Sequence, residues 1–99
     1  MNASAVGTEV LFAKENISEL KFPKNDVLLN ESDRIERQKR VSRAMTLGNT
    51  SKSKVKIVFE DAEGIKTVET TIWGVTDNNV ILKRTTIIPI NRIHQIKFY

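Results

Sequence analysis

The chain has 99 residues, 39% of them hydrophobic, and its 16 Lys and Arg against 12 Asp and Glu give a formal net charge of +4. A chain of this length makes one domain with one modest core, and no apolar run approaches the roughly 20 residues that a membrane-spanning helix needs. The absence of cysteine excludes disulfides, thiol catalysis and thiolate metal sites. With no signal peptide evident at the amino end, we expect a cytoplasmic protein.

Residues 1–29 predict an irregular amino-terminal arm. Their apolar burst, Val10-Leu11-Phe12, is compatible with an added strand, a short helix or a frayed arm, and these alternatives stay open. The segment "FPKNDVLLN" that follows combines proline, asparagine and aspartate, which is typical of a loop.

Residues 30–99 predict a single domain that begins with a helix at about 32–47. The stretch "NESDRIERQKRVSRAMTLGN" offers Asn30 or Ser32 as an amino-terminal cap. Its acidic residues lie near the start and its basic residues farther along, as the helix dipole favours. Gly48 predicts the end of the helix, because glycine readily takes the left-handed conformation there. The apolar stripe is thin, which indicates a helix that lies across another element.

The remainder, about residues 53–99, predicts β-structure, because the apolar period changes to two. Five strands read "KVKIVFED", "IKTVETTIWGV", "VILK", "TTIIPI" and "IHQIKFY". Gly74 predicts a bend that lets the second strand serve both walls of a barrel. Pro89 predicts the end of the fourth strand, since proline cannot donate to a central ladder, and "INR" is then the turn into the fifth. We therefore expect a mainly β fold, a small and strongly bent five-stranded barrel with an amino-terminal helix.

This pattern resembles the Sm-like barrels, and SH3-like barrels are similar. The matching stretches are "KVKIVFEDAEG", "ETTIWGVTDNNVIL" and "IIPINRIHQI", within residues 31–99. The resemblance implies ring-shaped oligomers that bind uridine- or adenosine-rich RNA. In bacterial members the inner rim uses a Tyr-Lys-His stretch between strands four and five, where this chain has Pro89-Ile90-Asn91. The chain also resembles a group of short Bacteroidetes proteins, a resemblance that implies no functional residues.

Basic residues on the helix and on the strands predict a nucleic-acid or partner surface, because guanidinium and ammonium groups suit phosphates. They are Arg34, Arg37, Lys39, Arg40 and Arg43 on the helix, and Lys54, Lys56, Lys83, Arg84, Arg92 and Lys97 on the strands. A structural interpretation fits them as well. On the helix, Asp33 and Glu36 stand four residues before Arg37 and Arg40 as ion-pair partners. On the strands, outward lysines discourage edge pairing.

The aromatic residues of the second half and the single histidine are expected to be structural. Trp73 predicts a core or intersubunit position, since a lone large aromatic is favoured at interfaces, and a ligand platform is the alternative. Four aromatic residues, Phe59, Trp73, Phe98 and Tyr99, are available in this half; we expect most of them to serve the core, with Phe98 as an inward anchor. His94 is expected on or near the surface of the last strand, beside Arg92.

One histidine and no cysteine cannot supply a nucleophilic triad or most zinc sites. We therefore expect no catalysis, no metal, no cofactor and no small-molecule substrate. The isoleucine- and valine-rich sheet of a very small domain instead predicts a non-catalytic binding or assembly module, one that engages a protein partner or forms a homo-oligomer. The alternative is binding to RNA or DNA through the basic helix and the barrel lysines. Nothing indicates a membrane partner.

Overall fold

The computed structural model describes residues 11–83 and 86–99, which contain one long helix and six strands. Helix α1 spans Glu31–Ser51, and the strands are β1 (Val55–Asp61), β2 (Gly64–Thr70), β3 (Gly74–Val75), β4 (Asn79–Lys83), β5 (Thr86–Pro89) and β6 (Ile93–Lys97). They form two antiparallel three-stranded sheets, with the orders β2-β1-β6 and β3-β4-β5. One 3-10 helix, Lys14–Glu19, precedes α1, and another, Ile90–Arg92, joins β5 to β6.

The predicted helix followed by antiparallel strands is confirmed, with a difference in the second strand. That strand is divided into β2 and β3, because residues 71–73 leave the ladder between them. Since β2 belongs to one sheet and β3 to the other, this stretch passes between the sheets near Gly74, where the sequence predicts a bend. Within the described residues we find two three-stranded sheets and no closed barrel.

Strand β1 shows how the alternating pattern builds the core. Val55, Ile57 and Phe59 are at most 1% exposed, and the residues between them are half-buried. Ile93 and Ile96 of β6 are equally buried although they stand three residues apart. A register shift between Val58 and Phe59 in the β1–β6 ladder accommodates that spacing. The chain therefore turns two inward side chains onto the same core by means of a bulge.

Helix α1 is longer than predicted, and Gly48 lies within it. The helix ends at Ser51, and Lys52 takes the left-handed conformation (φ 56°), with its N–H donating to the Gly48 carbonyl at 3.1 Å. A Cβ atom on Gly48 would lie 2.3 Å from the Ile72 carbonyl oxygen. Glycine is therefore needed here for close packing of α1 on residues 71–73, not for the end of the helix. None of the helices in the described part of the chain is long and apolar enough to cross a membrane.

The described part of the predicted arm, residues 11–29, packs against the core. Leu11 forms a one-residue parallel bridge with Thr67 of β2, and the Phe12 N–H donates to the Thr67 carbonyl. The 3-10 helix that follows packs against β5 and β2 and buries Ile17, which is 1% exposed. Full burial of such a side chain stabilises the fold by about 1.5–3 kcal/mol. The amino-terminal segment therefore supplies a core side chain to both sheets. Val10 lies outside the described residues.

Candidate functional site

Arg37, a predicted surface cation, lies inside the fold. Its side chain is 7% exposed, and its Nη2 and Nη1 atoms lie 2.7 Å and 2.9 Å from the two carboxylate oxygens of Asp26. Nη1 also donates to the Ile93 carbonyl at 3.1 Å. The bidentate pair joins α1 to the loop before it and to β6. Arg37 is therefore a structural ion-pair residue and not part of the predicted binding surface.

The Asp26 carboxylate is the centre of this ion pair. Arg34 Nε lies 3.4 Å from the same carboxylate, and the Leu28 N–H donates to it at 2.8 Å. The hydrogen bonds from Arg37 hold the pKa of Asp26 below its ordinary value, although partial burial opposes this effect. The carboxylate is consequently ionised whenever the fold is intact near neutral pH.

Arg92 is also placed inside the fold, where it is 4% exposed. Its Nε donates to the Glu60 carbonyl at 3.0 Å, and its Nη1 donates to the Asn25 carbonyl at 2.8 Å. These bonds fix the 3-10 turn before β6 to β1 and to the loop at residues 22–26. Arg92 is therefore a structural donor, again in contrast to the predicted surface role.

Other cations of the helix remain at the surface. The Arg34 Nε donates to the Leu28 carbonyl at 2.8 Å, and Arg40 pairs with Glu36 at 3.4 Å across one helical turn. Lys39 is exposed. Exposed pairs of this kind contribute about 0–1 kcal/mol, so this stretch fits the structural interpretation of a solvated helix face. The side chain of Lys83 and the whole of Arg84 lie outside the described residues.

The remaining predicted cations come together at the carboxyl end of α1 and form what we call the basic–aromatic patch. Its members are Arg43, Lys54, Lys56, Lys97, Phe98 and Tyr99. The Arg43 guanidinium lies 4.7 Å from the centre of the Phe98 ring, and Lys56 Nζ lies 5.8 Å from the centre of the Tyr99 ring. Lys97 is the direct partner of Lys56 in the β1–β6 ladder. Arg43, Lys54 and both aromatic side chains line a cavity of about 350 Å³.

The sequence predicts Phe98 as an inward anchor and most of the aromatic side chains of this half in the core. Phe98 is half-buried and packs partly against the core, but Tyr99 is 75% exposed. The Tyr99 hydroxyl donates to the Glu69 carboxylate of β2. Strand β6 ends at Lys97, two residues before Tyr99, so the alternation of the strand no longer decides where that ring points. The signal available in the sequence was only an aromatic pair that follows a basic strand.

A second surface, which we call the amide cleft, opens on the other flank of α1 with a volume of about 720 Å³. Its apolar lining comes from Phe22, Pro23, Pro89 and Ile90. Its polar lining includes Lys24, Arg34, Gln38, Asp77, Asn78 and Asn91. Backbone hydrogen bonds hold the contributing loops together. The Ile90 N–H donates to the Asn78 carbonyl at 2.8 Å, and the Val27 N–H donates to the Asn91 carbonyl at 2.9 Å.

Much of the polar lining of the amide cleft is not used by the fold. Within the described residues, the side chains of Lys24, Gln38, Asp77 and Asn78 make no hydrogen bond or ion pair. Asn91, in contrast, donates to the Lys24 carbonyl. The cleft therefore presents amide, carboxylate and ammonium groups that are available to a ligand beside an apolar lining. The sequence reading missed these residues, because they come from separate segments of the chain.

Trp73 is exposed, in contrast to the predicted core position. Its side chain is 55% exposed and lines a cavity of about 310 Å³ with Gly48, Lys52 and Thr71 among others. Its backbone N–H donates to the Ile81 carbonyl at 2.8 Å, which holds it beside the second sheet. The structure therefore leaves the interface and ligand-platform interpretations of Trp73 open.

His94 forms a pair with Glu60, with 2.7 Å between Nε2 and Oε1, and it is partly exposed. The predicted position near the surface is confirmed, but Arg92 is buried away from it. Among the described residues no group of three or more His, Asp or Glu side chains is arranged to hold a metal ion. The pair is thus a hydrogen bond between β6 and β1.

Comparisons of the chain with family models, with curated proteins and with solved structures find no match.

Proposed function

We propose that this protein is a non-catalytic binding module for single-stranded nucleic acid, with one nucleotide held in the amide cleft. The observation that carries the proposal is a cleft of about 720 Å³ in which unbonded amide and charged side chains stand beside an apolar lining. That volume is typical of a site for a small organic group. Unpaired bases recognised by proteins are held by stacking and by hydrogen bonds to their edges.

The lining residues suit the parts of a nucleotide. Gln38 and Asn78 carry amides that both donate and accept, which lets them read a base edge, and the Asp77 carboxylate suits an exocyclic amino group. Lys24 and Arg34 supply positive charge for the phosphate. The paired bases of a duplex do not present their Watson–Crick edges to a cleft of this kind, so the ligand is single-stranded.

The resemblance to Sm-like barrels also supports the amide cleft as the binding site. The proposal is supported by the long helix before the strands and by the 3-10 turn that joins β5 to β6, two features of the pattern on which the resemblance rests. We propose a small Sm-like or SH3-like barrel on that basis. In bacterial members the RNA contacts fall between strands four and five, and the corresponding Pro89-Ile90-Asn91 lines the amide cleft. Here amides from neighbouring segments take the place of the Tyr-Lys-His chemistry.

The test is fluorescence anisotropy with labelled six-nucleotide homopolymers of each base at low salt. Asn78→Ala is expected to weaken the preferred oligonucleotide by roughly 5- to 100-fold, because a bidentate base contact contributes about 1–3 kcal/mol of discrimination. Asn16→Ala is the matched control, since Asn16 is an exposed asparagine on the first 3-10 helix. Equal affinities for the two variants, or no binding by the unchanged protein, would overturn the proposal.

A second candidate function, self-association or binding of a protein partner, is favoured by an apolar strip on the second sheet. Gly74, Ile81 and Ile87 are neighbours across β3, β4 and β5, and Ile87 is 44% exposed. Trp73 adjoins this strip and is 55% exposed. Apolar patches with a large aromatic are enriched in interaction surfaces.

Light scattering coupled to size exclusion tests this candidate. An assembly should give a multiple of the 11.3 kDa chain mass, and Trp73→Ser should return it to the monomer. Ile65→Ser is the control, because Ile65 is 63% exposed on β2, away from the strip. A monomer at all concentrations, with no partner retained on the immobilised protein, would contradict both forms of the idea.

A further inference from the structure

We infer that the basic–aromatic patch is a second nucleic-acid surface, which holds the phosphodiester chain of a single strand while one base stacks on Tyr99. The inference rests on the proposed function and adds a separate contact to it. It is carried by Arg43 and Lys54, which line one cavity with the exposed Tyr99 ring, and by Lys97, which stands opposite Lys56 in the ladder.

The positive charge of the patch exceeds what its carboxylate can neutralise. Arg43 contacts the face of Phe98, while Lys54 and Lys97 are exposed and make no ion pair within the described residues. The Glu69 carboxylate accepts a hydrogen bond from Tyr99 within the patch. The excess charge is concentrated on one surface, which is the electrostatic footprint of a polyanion site.

The register of the sheet places like charges side by side. Lys56 stands directly opposite Lys97 on β6, and directly opposite Glu69 on β2. Like charges directly opposite in a ladder destabilise a sheet, whereas opposite charges stabilise it. The stability of the sheet thus explains why Glu69 stands opposite Lys56, but it does not explain why a lysine stands at position 97. A phosphate beside Lys97 accounts for its position next to a like charge.

Tyr99 is arranged as a stacking platform. Its ring is 75% exposed, Lys56 Nζ lies 5.8 Å from its centre, and its hydroxyl is held by the Glu69 carboxylate. These contacts restrain the ring while most of its surface stays open. Every base has a face that stacks on such a ring, and only an unpaired base can reach it. The aromatic member of the patch therefore selects single strands without selecting sequence.

The patch and the amide cleft are separate surfaces. With about 100° between successive helical residues, the buried residues Val41 and Ala44 point toward the sheets. Arg34 and Gln38 then fall on one flank of that direction, and Arg43 falls on the opposite flank. A nucleotide in the cleft leaves the patch uncovered, so the two contacts can be measured independently.

The test compares a labelled 12-nucleotide single strand with a nucleoside monophosphate as ligands of the full chain. The double variant Lys54→Gln/Lys97→Gln is expected to reduce the slope of log affinity against log salt by roughly 1.4, at about 0.7 per phosphate contact of a single strand. Tyr99→Leu should weaken the 12-mer on the order of tenfold without changing that slope, because it removes stacking and not charge. Neither change should alter monophosphate binding.

The control is the double variant Lys21→Gln/Lys39→Gln, which removes the same charge from exposed lysines outside the patch. If it reduces the salt slope as much as the patch variant does, the patch inference is overturned while the cleft proposal stands. If the 12-mer responds to the patch variants but Asn78→Ala changes neither ligand, the cleft proposal is overturned and the patch stands. A duplex of the same sequence that binds as tightly as the single strand would overturn the stacking role of Tyr99.

Discussion

Arg37 and Arg43 lie six residues apart on the same helix and were predicted to serve the same surface, yet they have opposite environments. Arg37 is 7% exposed and is held by Asp26 and by the Ile93 carbonyl. Arg43 is exposed, and its guanidinium contacts the face of Phe98. At about 100° per residue, Arg37 lies on the buried side of α1 with Val41, where Asp26 of the preceding loop can pair with it, whereas Arg43 lies on another flank. The buried arginine stabilises the fold and the exposed one remains available to a ligand.

Replacing each arginine in turn tests whether the two side chains have different roles. Arg37→Ala is expected to lower the free energy of unfolding by about 3–5 kcal/mol, because it leaves the Asp26 carboxylate without its buried partner. Arg43→Ala should lower it by less than about 1 kcal/mol, the range of an exposed cation–π contact. Urea unfolding followed by circular dichroism measures both values. Similar losses for the two variants would show that Arg43 is structural.

A second test concerns the close packing of α1 against residues 71–73. Gly48→Ala would place a Cβ atom 2.3 Å from the Ile72 carbonyl oxygen, and overpacking of this kind costs about 1–3 kcal/mol. Asn49→Ala, at the exposed neighbouring position, should change stability by no more than about 0.5 kcal/mol. Thermal unfolding of the two variants provides the measurement. A Gly48→Ala protein that is as stable as the unchanged chain would mean that α1 does not pack closely on residues 71–73.

The sequence predicts those parts of the molecule in which a local residue pattern is compatible with only one local structure. The alternation through Val55, Ile57 and Phe59 is found only in a half-buried strand, and the strand is where it is expected. A glycine such as Gly48 is compatible with two roles, the end of a helix or a close packing contact. Only the position of the Ile72 carbonyl in the folded chain decides between them. Lys52 takes the left-handed conformation that glycine would be expected to take.

The candidate sites were less predictable than the fold, for the same physical reason. The amide cleft combines Lys24, Gln38, Asp77 and Asn91, which the chain brings together only through the turns before β4 and β6. No pattern within one segment contains it. Lys54 and Lys56 were predicted because they alternate with apolar residues around the start of β1, whereas Tyr99 lies beyond β6, the strand whose alternation would have placed it.

The pH dependence of stability separates the buried ion pair from the surface charges. Because the folded state lowers the pKa of Asp26, this carboxylate contributes stability that is complete above its unfolded-state pKa of about 3.9. The contribution is lost as pH falls through the lower folded-state value. Burial raises the pKa of Asp61, but the pairing with Lys66 and backbone hydrogen bonds together more than offset this, and the net lowering makes Asp61 act in the same direction.

We therefore expect the free energy of unfolding to fall steeply below about pH 4, and Asp26→Asn to flatten part of that fall. Asp33→Asn is the matched control, since Asp33 is an exposed carboxylate in the first turn of α1. Urea titrations at a series of pH values give the slopes. If the free energy of unfolding of Asp26→Asn falls with pH as steeply as that of the unchanged protein, the ion pair does not contribute to the acid dependence of stability.

The smallest expected change in stability is that of Lys97→Glu, a variant that should move stability and binding in opposite directions. Lys97→Glu would replace the Lys56–Lys97 repulsion by an attraction, and a cross-strand pair of this kind contributes about 0.2–1 kcal/mol. The variant should therefore unfold at slightly higher urea concentration while it loses affinity for the single strand, and Lys97→Gln should lie between the two proteins in both measurements. If Lys97 served only to stabilise the fold, replacing it would lower the free energy of unfolding. A gain in stability that is matched by a loss of binding would mean that the lysine is held against its neighbour for the sake of a ligand. If Lys97→Glu destabilises the sheet, the like-charge argument for the patch fails even where binding is lost.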